Sequence, residues 1–412
     1  MSVSRRVVVT GIGPVTPIGI GVDEFWAGAT GGRNGIRPIS RFDASDLPVK
    51  LAGEVDGFDV SQWLDTKEAR RTDRFVHFAV ASADLGWRDA GKPEVPGERV
   101  AVIFATGIGG IEWLLNQHSV LLERGPGRVS PFMVPALMAN AAAGHIAMRF
   151  GFTGPNFCTV SACASGAHAV GEGYRMIRDG LADVAVVGGS EAATLPLTVA
   201  AFAQMTALTK NPDPQTASRP FDAERNGFVL SEGACTLILE TEEGARARGA
   251  RAYAQVVGYG ASDDAFHITA PDPKGSGAAL AIGRALEDAG VQPSDVDYVN
   301  AHGTSTQLND ASETAALKAA FGEDAAHRVA VSSTKSMTGH MLGAAGAVEA
   351  AVCALAIRTG VIPPTVHYAT PDPGCDLDYV PNEARRATVR LAISNSFGFG
   401  GQNAVVALAA PA

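Results

Sequence analysis

The chain has 412 residues, of which 46% are hydrophobic and only 18% are charged, so it is long enough to bury a large core. Its formal net charge of −10 argues against nucleic acid and against anionic membranes as partners. The five cysteines are odd in number and contain no C-x-x-C pair, which argues against a disulfide framework and against a structural zinc, so we expect no metal site.

Strand-like apolar runs alternate with helical runs of small residues, which predicts α/β layers. In chain order the predicted strands are Val7–Thr10, Val100–Ala105, Phe157–Val160, Val184–Gly188, Ala254–Tyr259, Val296–Asn300, Val329–Ser332, Leu391–Ser394 and Val405–Leu408. Several of them end in Gly- or Ser-rich loops, which is where open α/β sheets place their chemistry. The two halves share this rhythm, so we predict an N-terminal half, residues 1–250, and a C-terminal half, residues 251–412, without a flexible linker between them.

The first predicted strand, Val7–Thr10, runs into Gly11-x-Gly13, which is the start of a dinucleotide-binding fingerprint. That fingerprint needs a third glycine where Thr16 stands, and Pro14 would disturb the start of the helix, so we reject a dehydrogenase. The run is also too short for a signal peptide, and no stretch approaches the ~20 apolar residues of a membrane span. We therefore expect a cytoplasmic protein.

Cys163 lies in the stretch S-A-C-A-S-G, just before a predicted helix that begins near Ala167 and ends at Arg178. The helix dipole and the unpaired N–H groups of the first turn favour a thiolate, so we expect a lowered pKa and a nucleophilic sulfur. The small neighbours allow a bound carbonyl group to approach the backbone, as an oxyanion site requires. The alternative, a buried structural cysteine, is disfavoured by the residues that follow.

Two histidines and a lysine follow predicted strands of the C-terminal half. His302 comes after Val296–Asn300, and Lys335 and His340 come after the next strand. A predicted buried helix, Met341–Ile357, places His340 near a helix N-terminus, where the dipole disfavours an imidazolium. Each residue alone is more often structural, but their positions on successive strand ends indicate a catalytic site.

The segment N-S-F-G-F-G-G-Q-N at 395–403 follows the predicted strand Leu391–Ser394. It is either an ordinary tight turn or a mobile loop. In the second case a backbone N–H of the loop would serve as an oxyanion donor, and a phenylalanine would close a pocket.

Together these segments resemble the β-ketoacyl-acyl carrier protein synthases, condensing enzymes of the thiolase superfamily, and in particular the elongating synthase II type. The resemblance runs from residue 7 to the 397–401 loop and is carried by A-C-A-S-G at 162–166, N-A-H-G-T at 300–304 and S-T-K-S at 333–336 followed by His340. It implies the thiolase fold, in which two similar halves form five α-β-α-β-α layers. It also implies fatty acid elongation by decarboxylative Claisen condensation of an enzyme-bound acyl chain with malonyl-acyl carrier protein, giving 3-oxoacyl-acyl carrier protein.

The resemblance also implies roles for individual residues. Cys163 would accept the acyl chain, His302 and His340 would act in decarboxylation, and Lys335 would support them. The further residues implied are Phe399 and Gly400 for the oxyanion and gating loop; Thr269, Thr304 and Thr306 for the pantetheine arm; and Ile108, Phe202, Phe132, Met133 and Leu342 for the acyl pocket, whose shape depends on a dimer interface.

The expected partner is an acyl carrier protein, and no cofactor is implied beyond the phosphopantetheine that such a carrier bears. Carrier proteins are acidic, so a local basic patch must overcome the repulsion between two negatively charged proteins. The candidates for this patch are Lys67, Arg70, Arg71, Arg74, Arg128 and Lys210, of which the first four recur at helical i, i+3, i+4 and i+7 spacing. The alternative is a solvated helix face. We expect a homodimer, with a heterodimer formed with a cysteine-less paralogue as the alternative.

Other members of the superfamily fit less well. A degradative thiolase needs a second reactive cysteine in its C-terminal glycine loop, which here reads F-G-G-Q. A non-catalytic chain-length factor lacks the nucleophile, and Cys163 argues against it. The remaining alternative is the ketosynthase subunit of a type II polyketide or polyene system that works with a chain-length-factor-like partner. It is kept because Gln307 stands where synthase II relatives often have proline.

Overall fold

The computed structural model describes residues 5–411. Its strands are β1 (Val7–Thr16), β2 (Gly19–Ile20), β3 (Ile36–Pro38), β4 (Leu51–Gly53), β5 (Val100–Ala105), β6 (Asn156–Phe157), β7 (Val184–Glu191), β8 (Gly233–Thr241), β9 (Ala254–Asp263), β10 (Tyr298–Asn300), β11 (Ala330–Ser332), β12 (Val361–Ile362), β13 (Arg385–Arg386), β14 (Leu391–Phe397) and β15 (Gln402–Ala409). Its helices are α1 (Val22–Thr30), α2 (Thr66–Ala69), α3 (Arg74–Asp89), α4 (Ile111–Arg124), α5 (Met133–Leu137), α6 (Ala141–Phe150), α7 (Ser165–Arg178), α8 (Pro196–Gln204), α9 (Glu242–Ala247), α10 (Ser276–Ala289), α11 (Gln307–Phe321), α12 (Glu323–Ala326), α13 (Lys335–Thr338) and α14 (Ala345–Thr359).

Ten of the eleven strands of the main sheet form two five-stranded halves with the same topology, and the short β2 pairs with β1. The strand order of the sheet is β11-β10-β14-β15-β9-β1-β8-β7-β5-β6, so each half reads 3-2-4-5-1 from its outer edge when its own strands are numbered along the chain. The parallel and antiparallel pairings also correspond strand by strand. The halves meet where β1 pairs with β9 over only three residue pairs. The boundary predicted after residue 250 lies between α9 and β9 and stays a prediction.

Helices complete a five-layer arrangement. Helices α7 and α14 pack against each other and against strands of both halves, which makes them the central layer. Helices α3 and α6 cover the N-terminal half of the sheet, while α10 covers β9 and β15 of the C-terminal half and carries α11. The duplicated α-β-α-β-α sandwich expected from the sequence is confirmed.

The central layer requires small residues because its two helices approach within backbone contact. A Cβ atom on Gly346 of α14 would lie 2.5 Å from the backbone nitrogen of Ala167 on α7. Likewise, a Cβ atom on Gly166 would lie 2.8 Å from the nitrogen of Ala347. These contacts explain why both helices are rich in alanine and glycine.

The stretch Leu342–Thr359 comes closer to membrane length than the sequence prediction allowed, with 18 residues at a mean hydropathy of 1.5. Its apolar character reflects packing in the protein core, because 83% of it is buried. The helix predicted from 341 to 357 is in fact a 3₁₀ turn, Leu342–Ala344, followed by α14.

Several strand predictions were wrong at their ends. Strand β1 continues through Pro14, which pairs with Cys235 of β8, and ends at Thr16, which pairs with Gly19 of β2. Strand β8 was not predicted at all, and β6 is two residues long and ends at Phe157 rather than Val160. Helix α7 begins at Ser165, which brings the helix closer to Cys163 than the pattern indicated.

Replacing Gly346 with alanine should destabilise the protein by ~1–3 kcal/mol, because the added methyl group would collide with backbone that cannot move independently. The matched control is Gly283→Ala on α10, where an added Cβ meets no atom within 4 Å. That change should be neutral or stabilising by up to about 1 kcal/mol through helix propensity. Urea unfolding measures both; equal midpoints for the two variants would contradict the close helix contact.

Candidate active site

The nucleophile turn lies between β6 and α7 and is held in an unfavourable backbone conformation. Ala162, the residue before Cys163, has a φ of 48°, which a residue with a side chain rarely adopts. The Ser165 hydroxyl donates to the carbonyl oxygen of Ala162 at 2.6 Å and accepts from the N–H of Ser161 at 2.8 Å. These two hydrogen bonds hold the turn in its strained backbone conformation. Strain of this kind is common at functional sites.

The structure brings the predicted cysteine and both histidines together. The Sγ atom of Cys163 lies 3.0 Å from Nε2 of His340, and the rings of His302 and His340 have centroids 5.3 Å apart. A ring nitrogen of each histidine and the sulfur all lie within 4.8 Å of one another. Ligand atoms at this spacing could hold a metal ion, whereas the family resemblance assigns all three to acyl transfer.

The backbone of each histidine is anchored. A buried glutamate on α11, Glu313, accepts the N–H groups of His302 at 2.8 Å and Gly303 at 2.7 Å. The N–H of His340 donates to the carbonyl oxygen of Val229 at 2.8 Å, and its ring packs edge-on against Phe228. The sequence reasoning missed Glu313, although its position shortly after the histidine motif on a helix was a usable signal.

Lys335 lies behind the histidines. Its Nζ donates to the carbonyl oxygen of His302 at 2.7 Å and lies 3.4 Å from Nδ1 of the same residue. It also forms a buried ion pair with Glu349 of α14. Glu349 is the second residue that sequence reasoning missed, although it is the only charged residue of α14 before Arg358. An ammonium donor at Nδ1 leaves the proton of a neutral His302 on Nε2.

Burial decides the charges in this site. It lowers the pKa of both His302 and His340 well below the usual value, and the neighbouring Lys335 cation lowers both further. Two neutral imidazoles are therefore expected, as the sequence indicated for His340. Burial also raises the pKa of Glu349 to about 7, opposed by its pairing with Lys335.

The prediction of a lowered thiol pKa was wrong. Burial raises the pKa of Cys163 to about 11, although the Lys335 charge and the backbone N–H of Phe399 oppose the shift. Removing the sulfur from water costs more than these two interactions return. The free site therefore holds a neutral thiol beside a neutral imidazole.

The side chains surround one cavity of about 620 Å³. Sequence-predicted residues in its lining are Cys163, His302, His340, Ile108, Phe202, Leu342, Thr269, Thr304, Thr306, Phe399 and Gly400. Phe132 and Met133, which were also expected in the acyl pocket, are not among the described residues that line this cavity.

The glycine loop after β14 closes over the nucleophile. A Cβ atom on Gly398 would lie 2.8 Å from the carbonyl oxygen of Ser161 and 3.2 Å from the nitrogen of Cys163, so only glycine allows this approach. The backbone N–H of Phe399 is close enough to the sulfur to oppose the rise in the pKa of Cys163. The N–H of Gly400 donates to the carbonyl oxygen of Ile268 at 2.7 Å, which ties the loop to the rim of the cavity.

The proposed basic patch is not one helix face, and Arg74 is removed from it. The residues belong to two separate helices, because α2 ends at Ala69 and α3 begins at Arg74. Asp73 caps α3 by accepting the N–H of Phe75. Arg74 donates to the fully buried carboxylate of Glu232 at 2.7 and 3.0 Å, so its charge is already neutralised. Arg71 lies over the ring of Phe132. The exposed candidates that remain are Lys67, Arg70, Arg71, Arg128 and Lys210.

A duplicated five-layer fold with cysteine, two histidines and lysine at its centre defines a condensing acyltransferase. The family model "Beta-ketoacyl synthase, N-terminal domain" matches residues 4–245, and "Beta-ketoacyl synthase, C-terminal domain" matches residues 253–369. A 3-oxoacyl-[acyl-carrier-protein] synthase 2 from Synechocystis sp. is 51% identical over 406 residues, which are 98% of this chain and 97% of that relative. This chain belongs to the β-ketoacyl synthase family.

Two solved structures are also similar. The ishigamide ketosynthase/chain length factor is 39% identical with a TM-score of 0.92, and the match covers 99% of this chain and 100% of that chain. A type II polyketide ketosynthase, in complex with its acyl-carrier protein and bound to the hexaketide, is 34% identical with a TM-score of 0.91 over the same shares.

The raised pKa of Cys163 predicts how the free thiol reacts. Because the thiolate fraction is small at neutral pH, the rate of alkylation by iodoacetamide should still be rising at pH 9, on its way to a midpoint of about 11. Intact-mass measurement across pH 6–9.5 follows the reaction, with Cys163→Ser as the unreactive control. A rate that levels off below about pH 8 would show a thiolate stabilised as the helix dipole alone would predict.

Proposed function

We propose that this protein holds an acyl chain as a thioester on Cys163 and condenses it with malonyl-acyl carrier protein in fatty acid elongation. The product is a 3-oxoacyl-acyl carrier protein. The observation that carries this assignment is the 3.0 Å contact between the Cys163 sulfur and His340, with His302 on the same cavity. The residue roles below are part of the proposal.

In the first half-reaction, the sulfur of Cys163 attacks the thioester carbonyl of the acyl donor. The adjacent Nε2 of His340 is neutral and can take the thiol proton. The backbone N–H groups of Cys163 and Phe399 would hold the oxyanion. The C–S bond to the donor breaks, and its pantetheine thiolate takes up the proton and leaves.

In the second half-reaction, loss of carbon dioxide from the malonyl thioester produces an enolate without a strong base. Its oxygen would accept hydrogen bonds from Nε2 of neutral His302 and from Nε2 of His340, which is free to carry the proton of the neutral ring once Cys163 is acylated and no longer donates to it. The carbanion attacks the acyl carbonyl on Cys163, a carbon–carbon bond forms, and the C–S bond breaks. Cys163 leaves as a thiolate and takes up a proton from solvent, which restores the neutral thiol. Lys335 would act through His302, whose Nδ1 and carbonyl oxygen it contacts.

The substrate arm would enter beside three threonines. Thr304 and Thr306 have hydroxyl oxygens 3.0 Å apart and line the cavity together with Thr269. These hydroxyls can bond the amides of phosphopantetheine. Relatives of this family work on carrier-bound substrates, and we propose no further cofactor and a cytoplasmic location.

The acyl carrier protein is the proposed partner, and the assembly proposed is a homodimer. Helix α5 contacts α4 and α6, and the three helices carry exposed apolar side chains, including Leu122, Val134 and Met148, which are 72%, 61% and 71% exposed. A second copy that covers this surface would place Phe132 and Met133 at the interface. The 51% identity to a synthase 2, against 39% to a ketosynthase/chain length factor, favours fatty acid elongation over the polyketide alternative.

Incubation with an acyl carrier substrate should add one acyl mass to the wild type and none to Cys163→Ala. His302→Ala should accept acyl groups as the wild type does, and His340→Ala should accept them more slowly because the base beside the thiol is lost. In both variants the rate of condensation should fall by about 10²–10³-fold because an enolate donor is lost. Intact-mass and single-turnover product assays measure the two steps. An adduct that persists in Cys163→Ala, or condensation at the wild-type rate in both histidine variants, would refute these roles.

Charge reversal at Lys67 and Arg70 should raise the KM for carrier-bound substrate by at least about fivefold, since rim charges mainly control encounter. Small thioester analogues should be used at the wild-type rate. The control is Arg390→Glu, an arginine that is 79% exposed and belongs to no proposed patch. An unchanged KM in the double variant would remove both residues from the docking surface.

A further inference from the structure

Glu191, at the end of β7, is a buried carboxylate that the mechanism does not use. It is 0% exposed, and no described lysine or arginine pairs with it. Its Oε2 accepts the N–H of Gly107 at 2.7 Å and that of Gly343 at 3.1 Å. Its Oε1 accepts the hydroxyl of Thr106 at 2.9 Å and the N–H of Ile108 at 3.3 Å. Four donors therefore satisfy one carboxylate.

These donors come from two separate segments at the cavity. The first is the loop after β5, which carries Ile108, and the second is the 3₁₀ turn Leu342–Ala344. Both Ile108 and Leu342 line the cavity with Cys163. The segments touch, because a Cβ atom on Gly343 would lie 2.1 Å from the nitrogen of Gly107. Glu191 thus cross-links the two walls beside the nucleophile.

We propose that Glu191 is a positioning residue that fixes the spacing of Ile108 and Leu342, and thereby limits which acyl chains reach Cys163. This rests on the proposed function, in which Cys163 carries the chain. The distance between the two walls is held firmly because the Glu191 carboxylate accepts all four hydrogen bonds from the protein. In its buried position these bonds are not replaced by bonds to water.

A carboxylate is needed for this cross-link, and an amide cannot replace it. Glutamine offers one acceptor oxygen and one N–H₂ group. If the N–H₂ of Glu191→Gln takes the place of Oε2, it meets the N–H groups of Gly107 and Gly343, and the tie between the two walls is lost. If it takes the place of Oε1, the Thr106 hydroxyl can turn to accept from it, but the N–H of Ile108 loses its acceptor. In either orientation Ile108 is held less firmly against Leu342. Freed from Leu342, Ile108 can move aside, and the longer acyl chains gain access.

The test is single-turnover acylation of Cys163 by acetyl- and hexadecanoyl-pantetheine, followed by intact mass. In Glu191→Gln the ratio of the long-donor rate to the short-donor rate should rise by about tenfold over wild type. A change in thiol reactivity, or in the folded fraction, scales both donors alike and cancels from this ratio. A ratio within about twofold of wild type, or a fall in the ratio, overturns the proposal.

Two further variants make the result decisive. Glu313→Gln alters another buried carboxylate, one that holds His302 and Gly303 and bonds to neither wall, and should leave the ratio unchanged. Thr106→Val keeps the shape but removes one donor to Glu191, and should shift the ratio in the same direction by a smaller factor. It decides the question if Glu191→Gln does not fold. If wild type forms no adduct with either donor, the proposed function fails, rather than the role of Glu191.

Discussion

The close contact between α7 and α14 is the constraint on which the rest of this structure depends. One helix follows the nucleophile in the first half of the chain, and the other follows His340 in the second half. Because Gly166 and Gly346 let the two backbones meet, the sulfur and the imidazole lie 3.0 Å apart. A wider helix pair would separate residues that are 177 positions apart in the chain.

The same packing buries the catalytic side chains, and burial then determines their charges. Desolvation keeps both imidazoles neutral and the thiol protonated, while Lys335 remains in the interior through its ion pair with Glu349. Neutral N–H donors suit an enolate that forms by loss of carbon dioxide. A protonated thiol beside a neutral imidazole suits a nucleophile that must be activated only when a thioester is bound.

Buried carboxylates form the framework around this chemistry. Glu313 holds the His302 loop, Glu349 balances Lys335, and Glu191 joins the loops on either side of the nucleophile. None of the three was predicted from the sequence as part of the site, because a glutamate on a helix or at a strand end is usually exposed. The assignment of Arg74 to the basic patch failed for the same reason. Its partner, the buried Glu232, is distant in the sequence, so the ion pair could not be predicted.

The sequence alone determined the α/β layers and most of the strands, because apolar runs repeat at the spacing of these elements. It also singled out Cys163, His302, Lys335 and His340 as candidate site residues, because each lies in a short motif next to a predicted strand or helix end. Tertiary structure alone decided the bounds of β6 and the existence of β8, whose pairing partners are remote in the chain. It also decided the thiol pKa, because the desolvation that raises it arises only when distant segments enclose the sulfur, and a helix start read from the sequence does not show that burial.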